Sequence, residues 1–138
     1  MSAERTPLLD GMVRVLALDR FDDERGSLTP LTFDDLGFVV ARTFVVNAPR
    51  GAVRGGHSHR GVRQVLFRAS GTVEVEVRHG GAQAHVTLDD SCPALLVEAG
   101  VWARQTYLDD HAALVVFADG PYDAGEYEHE MPAAGAPS

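Results

Sequence analysis

The segment TVEVEVRH, residues 72–79, alternates apolar and acidic side chains without a break, Val73, Val75 and Val77 against Glu74 and Glu76. Successive side chains of a strand point to opposite faces, so the valines predict a buried face and the glutamates an exposed one. HGG at 79–81 then marks a hairpin turn. Similar runs rich in valine, leucine and aromatic residues recur: MVRVLALD (12–19), SLTPLTF (27–33), RTFVVNA (42–48), QVLFRAS (64–70), AHVTLDD (84–90), PALLVEA (93–99) and AALVVFAD (112–119). Turn-forming NAPRG, ASG and ADGP fall among them. The stretch AGVWARQTYLDDHAAL (99–114) lacks proline, but its apolar positions hold no helical stripe, and a strand–turn–strand reading fits better. Many short strands with little helix predict an all-β sandwich or small barrel, for which the jelly roll is a common solution.

Composition narrows the function. A chain of 138 residues suits one domain. We expect that domain over 1–130, with MPAAGAPS (131–138) as a flexible tail. No apolar run reaches the length of a membrane span, and MSAERTPLLDGM at the N-terminus does not have the pattern of a secretory signal, which predicts a cytoplasmic protein. The single cysteine, Cys92, excludes an internal disulfide and a thiolate metal cluster. All 12 basic residues are arginine, so Schiff-base chemistry on a lysine is excluded. A net charge of −8 argues against a nucleic-acid partner and leaves a small anionic ligand only where arginines cluster.

The chemistry concentrates in VRGGHSHRGVRQ, residues 53–64. On an extended backbone His57 and His59 project to the same side, with Cα atoms roughly 6.5–7 Å apart. Arg54 supplies a charge beside them, and Gly55 and Gly56 permit close backbone approach. The spacing from Gly51 through His57, His59 and Gln64 to Gly71 resembles the first motif of the cupin superfamily. Gln64 stands where that motif usually has a metal-binding glutamate, and Ala103 where a second-motif histidine is expected. His79 and His85 fall on another hairpin, and His111 and His129 in turn or tail contexts. Two neutral imidazoles and an amide hold a divalent ion weakly, which disfavours a metal-dependent cupin oxygenase. Imidazoles without a metal suit proton transfer near neutral pH, where a placed acid–base group contributes about 10²–10⁴ in rate.

A closer resemblance emerges from several motifs in order: DERGSLTPL (23–31), RTFVV (42–46), RGGHSH (54–59), QVLFRASGTVEV (64–75), VW (101–102) and LVVFADGPYDAGEY (114–127). Together they resemble the cupin sugar 3,4-ketoisomerases that act on dTDP-4-keto-6-deoxyglucose. The resemblance implies a cupin jelly roll (a double-stranded β-helix) that forms a homodimer, often by exchange of N-terminal strands, with no cofactor and no metal. It implies a reaction that moves the sugar ketone from C4 to C3 through an enediol. Carried onto this chain, it implies His57 as the base and His59 as its supporting partner. Arg54 and Arg42 would hold phosphate or sugar oxygens, Gln64 an enediolate oxygen, and Trp102 part of the substrate site. Tyr122, Asp123 and Tyr127 fall in a segment read as packing and dimer contacts. One departure stands out, because Phe44 and Val45 lie where relatives often carry tyrosines, leaving no hydroxyl there. That departure keeps two alternatives open, a non-catalytic cupin that binds a sugar or effector and a 3,5-epimerase of the same substrate class.

Overall fold

In the computed structural model, which describes residues 4–128, the three valines of TVEVEVRH are fully buried on one face of a strand, as the alternation predicts. That strand is β8 (Val73–His79), one of thirteen among the described residues. The others are β1 (Glu4–Leu8), β2 (Val13–Ala17), β3 (Phe21–Asp23), β4 (Gly26–Leu28), β5 (Arg42–Asn47), β6 (Val53–His59), β7 (Gln64–Ser70), β9 (Ala82–Leu88), β10 (Ala94–Val97), β11 (Trp102–Tyr107), β12 (Ala113–Ala118) and β13 (Tyr127–Glu128). Among the described residues helix is confined to single 3-10 turns at Leu9–Gly11, Asp34–Leu36 and Ala124–Glu126. His129 and the expected tail 131–138 lie outside the described residues.

The strands form a six-stranded antiparallel sheet, β1-β2-β10-β7-β12-β5, and a five-stranded one, β13-β6-β11-β8-β9. Their inner faces supply one shared core, with Leu66, Leu95 and Leu114 from the first sheet packed among Val73, Val75, Val77 and Leu88 from the second. Each such side chain contributes roughly 1.5–3 kcal/mol by leaving water. This is the all-β jelly roll expected from the strand pattern and the resemblance. The run ALLV in β10 is buried at every position. Val97 and Leu95 face the inner core, whereas Ala94 and Leu96 join a second cluster with Leu16, Leu36, Phe38 and Val65 on the sheet's other face. A strand covered on both faces loses its alternation, which is why this run reads as continuous apolar sequence.

The covering segment corrects one expectation. SLTPLTF does not form a strand over 27–33, because pairing stops at Leu28 and Pro30 has no amide to donate. Leu31, Phe33, Leu36 and Phe38 instead fold against the outer face of the six-stranded sheet, where Phe33 packs edge-on against Phe117 with ring centroids 4.8 Å apart. The short strands β1, β3 and β13 carry no pattern that reveals them in isolation.

A second correction concerns Glu76, which alternation places in water but which is buried. Arg78 pairs with it at 2.7 Å and Arg104 at 2.5 Å. Burial opposes its ionisation, but the hydrogen bonds from both guanidinium groups outweigh that and hold the carboxyl below its ordinary range.

The chain crosses from β7 in one sheet to β8 in the other at Gly71, whose φ is +69°. A Cβ there would stand 2.6 Å from Ala112 Cα and 2.7 Å from Ala112 N, and the Asp109 carboxylate that fills the remaining space accepts from the Thr72 amide at 2.9 Å. Gly71→Ala therefore combines left-handed strain with a backbone clash. It is expected to lower stability by about 2 kcal/mol or more, read as a reduced midpoint in urea.

Candidate active site

The histidine-bearing strand β6 owes its geometry to one extra residue. It pairs antiparallel with β11, Ala103 opposite His57, but the next residue Arg104 lies opposite Gly55, so Gly56 is a bulge. Gly55 and Gly56 both have φ of +80°, a region costly for any residue with a Cβ. Three positions apart on a regular strand, Arg54 and His57 would point to opposite faces. The bulge resets that parity and brings Arg54 opposite Gln105, so that Arg54, His57 and Gln105 line one cavity. A Cβ on Gly55 would stand 2.6 Å from Gln105 Oε1 and 3.0 Å from the Ala103 carbonyl oxygen, so the close approach requires glycine.

The cavity has a volume of about 330 Å³ and lies between the two sheets. β5 contributes Arg42 and Phe44, β7 contributes Gln64, and β11 contributes Gln105 and Tyr107. The Arg42 guanidinium stacks 4.5 Å over the Phe44 ring and 5.0 Å over Tyr122, which holds a positive charge at the cavity wall. With Arg54 it makes two cations facing one space in an otherwise acidic protein. Burial raises the Tyr107 phenol above its ordinary pKa, with the Arg54 charge pulling the other way.

Five of the six expected site residues converge here, four of them directly on the cavity: Arg42, Arg54, His57 and Gln64. His59 lies one step deeper. It borders a void of about 20 Å³, room for one water molecule, that also touches His57, Gln64, Glu98, Ala103 and Gln105. His59 Nε2 is buried with no hydrogen-bond partner among the described residues. Trp102 is not brought to the site. Ala103, Gln105 and Tyr107 take the inward positions of β11, so Trp102 points out of the opposite face, stacked between Arg104 at 5.4 Å and Arg78 at 5.8 Å.

Two lining residues escaped the sequence reading. Gln105 and Tyr107 follow from alternation on β11 once Ala103 is known to face His57. Tyr127, read as a packing and dimer residue, lines the cavity because β13 pairs with β6 and sets Tyr127 opposite His59. Its ring centroid lies 4.6 Å from that of His57 and 4.5 Å from that of His59, while the two imidazoles are 5.0 Å apart.

The four positions of the cupin metal motif, His57, His59, Gln64 and Ala103, do meet around the small void. They offer two imidazoles, an amide and a methyl group. Among the described residues no group of three His, Cys, Asp or Glu side chains is placed to hold a metal ion, Glu98 at the void notwithstanding. The donor set does not fit a divalent cation.

Residues 12–133 match the family described as FdtA: WxcM-like, C-terminal. The chain belongs to this family. A curated relative, the TDP-4-oxo-6-deoxy-alpha-D-glucose-3,4-oxoisomerase of Aneurinibacillus thermoaerophilus, is 27% identical over 83% of this chain and 84% of its own length. The sugar 3,4-ketoisomerase of Thermoanaerobacterium thermosaccharolyticum, solved in complex with TDP, aligns at 25% identity with a TM-score of 0.78, covering 86% of this chain and 88% of that one. A 4-keto-6-deoxy sugar epimerase from the novobiocin cluster of Streptomyces spheroides aligns with a TM-score of 0.82 at 22% identity, covering 92% of this chain and 73% of that one, a likeness of fold.

Burial first, then the positive charges of His57 and Arg42, push the His59 imidazole down to about 4. At neutral pH His59 is uncharged and accepts or donates hydrogen bonds without storing a proton. In the unfolded chain it protonates near pH 6.5. Between those values the unfolded state binds more protons, so stability is full above pH 6.5 and falls as pH drops towards 4, by on the order of 3 kcal/mol. Urea unfolding at pH 7, 5.5 and 4.5 is expected to show this decline, and His59→Gln to flatten it.

Proposed function

We propose that this chain is a 3,4-ketoisomerase of a dTDP-linked 4-keto-6-deoxyhexose, acting in deoxysugar or aminosugar biosynthesis in the cytoplasm without a metal or cofactor. The observation that carries this reading is His57 on the wall of a 330 Å³ cavity that also presents two arginines and Gln64, in a chain of this family. The substrate's C3–H is acidified by the C4 carbonyl. His57 removes that hydrogen and returns it to C4, the acid–base task to which an imidazole is suited. Gln64 donates its amide N–H to a sugar oxygen on which negative charge develops. Arg42 and Arg54 hold the diphosphate, the only strongly anionic part of the ligand. His59, neutral and buried, supports the imidazole beside it.

Incubation with dTDP-4-keto-6-deoxyglucose in D₂O with a chelator present, followed by NMR, is expected to show the ketone at C3. A ketone that stays at C4 with inverted ring carbons would instead make the chain an epimerase, and binding without exchange at C3 would make it a sugar-binding cupin. His57→Asn is expected to lower turnover by about 100-fold or more while dTDP binding persists. Turnover retained in that variant removes His57 as the base.

The protein acts as a homodimer in this reading. The β3–β4 ribbon belongs to neither large sheet, and its cross-strand pair Phe21 and Leu28 is 58% and 61% exposed. A directly paired, solvated phenylalanine and leucine are stabilised by a second copy that covers them. Sedimentation is expected to give twice the chain mass, and Phe21→Asp combined with Leu28→Asp to give monomer.

A further inference from the structure

The ketoisomerase reading leaves one proton without a carrier. Moving a ketone from C4 to C3 transfers two hydrogens, one from C3 to C4 and one from the C3 hydroxyl to the C4 oxygen. His57 accounts for the carbon-bound one. The cavity wall otherwise presents two arginines, two glutamines and two tyrosines as polar groups. A guanidinium does not give up its proton, and an amide neither gains nor loses one. His59 borders the deeper void and is absent from the wall of the large cavity. That leaves the phenols, whose O–H group can both give a proton to an enediol oxygen and take one from it.

The two tyrosines sit at different levels. On β11 Ala103 lies opposite His57, and Tyr107 follows four residues later, roughly 13 Å further along the strand and beyond Arg54. Tyr127 instead packs directly on the His57 ring, held there by the backbone pairing that sets it opposite His59. Phe44 on the same wall has no hydroxyl to offer.

We propose that Tyr127 is a catalytic residue that carries the oxygen-bound proton from O3 to O4 while His57 carries the carbon-bound hydrogen from C3 to C4. In the first half, His57 takes the proton from C3, and the C3–H pair becomes the C3=C4 double bond. The carbonyl π pair moves onto O4, which takes the phenolic proton of Tyr127. The state so formed is a neutral enediol between an imidazolium and a phenolate. In the second half, the phenolate takes the proton from O3, the O3–H pair becomes the C3 carbonyl, and the double-bond pair takes the imidazolium proton at C4. Both side chains return to their starting state, and no further reactant is needed.

Tyr127→Phe keeps the ring against both imidazoles and removes only the hydroxyl. In D₂O with dTDP-4-keto-6-deoxyglucose it is expected to slow ketone migration by about 100-fold, with dTDP binding unchanged. Exchange of the C3 hydrogen for deuterium falls far less, because His57 still acts, so the ratio of exchange to migration rises. A tyrosine that merely packs would lower both in equal proportion, and that result, or migration at the unmodified rate, overturns the proposal. Tyr107→Phe is expected to change exchange and migration in equal proportion, so that their ratio stays as in the unmodified chain; the split appearing there instead also overturns it. If Tyr127→Phe loses dTDP binding, Tyr127→3-fluorotyrosine retains ring and hydroxyl while making the phenol more acidic, and unchanged migration in that variant counts against the relay. Absence of ketone migration in the unmodified chain removes the ketoisomerase reading and the relay with it, whereas migration that persists in Tyr127→Phe removes the relay alone.

Discussion

Two consecutive glycines with positive φ, the second of them the one extra residue of a bulge in β6, fix which side chains share the cavity. Without the extra residue, strand parity would turn Arg54 away from His57. With it, a cation and an acid–base group from one short segment face the same space, and Gln105 approaches so closely that the backbone at Gly55 tolerates no Cβ. The neighbouring strands complete the arrangement by ordinary alternation, which sends Arg42 and Phe44 from β5, Gln64 from β7 and Gln105 from β11 inward. Six strands of two sheets thus serve a site whose aim depends on one local irregularity.

The electrostatics divide the histidine pair into unequal members. His57 borders both the large cavity and the small void, whereas His59 borders the void alone and is kept neutral by burial and by positive neighbours. Tyr127 packs against both rings. The charge that the site does expose is positive, at Arg42 and Arg54, in a chain with a net charge of −8. That contrast suits a diphosphate-bearing ligand, since this wall offers an anion two cations together.

Much of this was legible in the chain, and the exceptions have physical causes. Strict alternation in β8 and the continuous run in β10 report single and double burial, and both read correctly as strands. The His57-x-His59 spacing, with Gln64 and Ala103 at set distances, predicts four positions that meet in space, and they do. Trp102 misleads because sequence spacing from a motif does not reveal which face of β11 it takes. Glu76 misleads because alternation assumes water on the outer face, whereas two arginines and an indole occupy it. Tyr127 is invisible as a site residue because a two-residue strand, β13, has no periodicity, and its place depends on pairing with a strand more than sixty positions earlier.

The most direct test is a crystal structure of the protein with dTDP-4-keto-6-deoxyglucose bound to a His57→Asn variant. The arrangement described here places the sugar ring between position 57 and Gln64, with C3 facing residue 57 and the diphosphate against Arg42 and Arg54. A sugar bound outside that cavity, or one turned so that C3 faces Arg54 and the diphosphate faces the histidine strand, contradicts it.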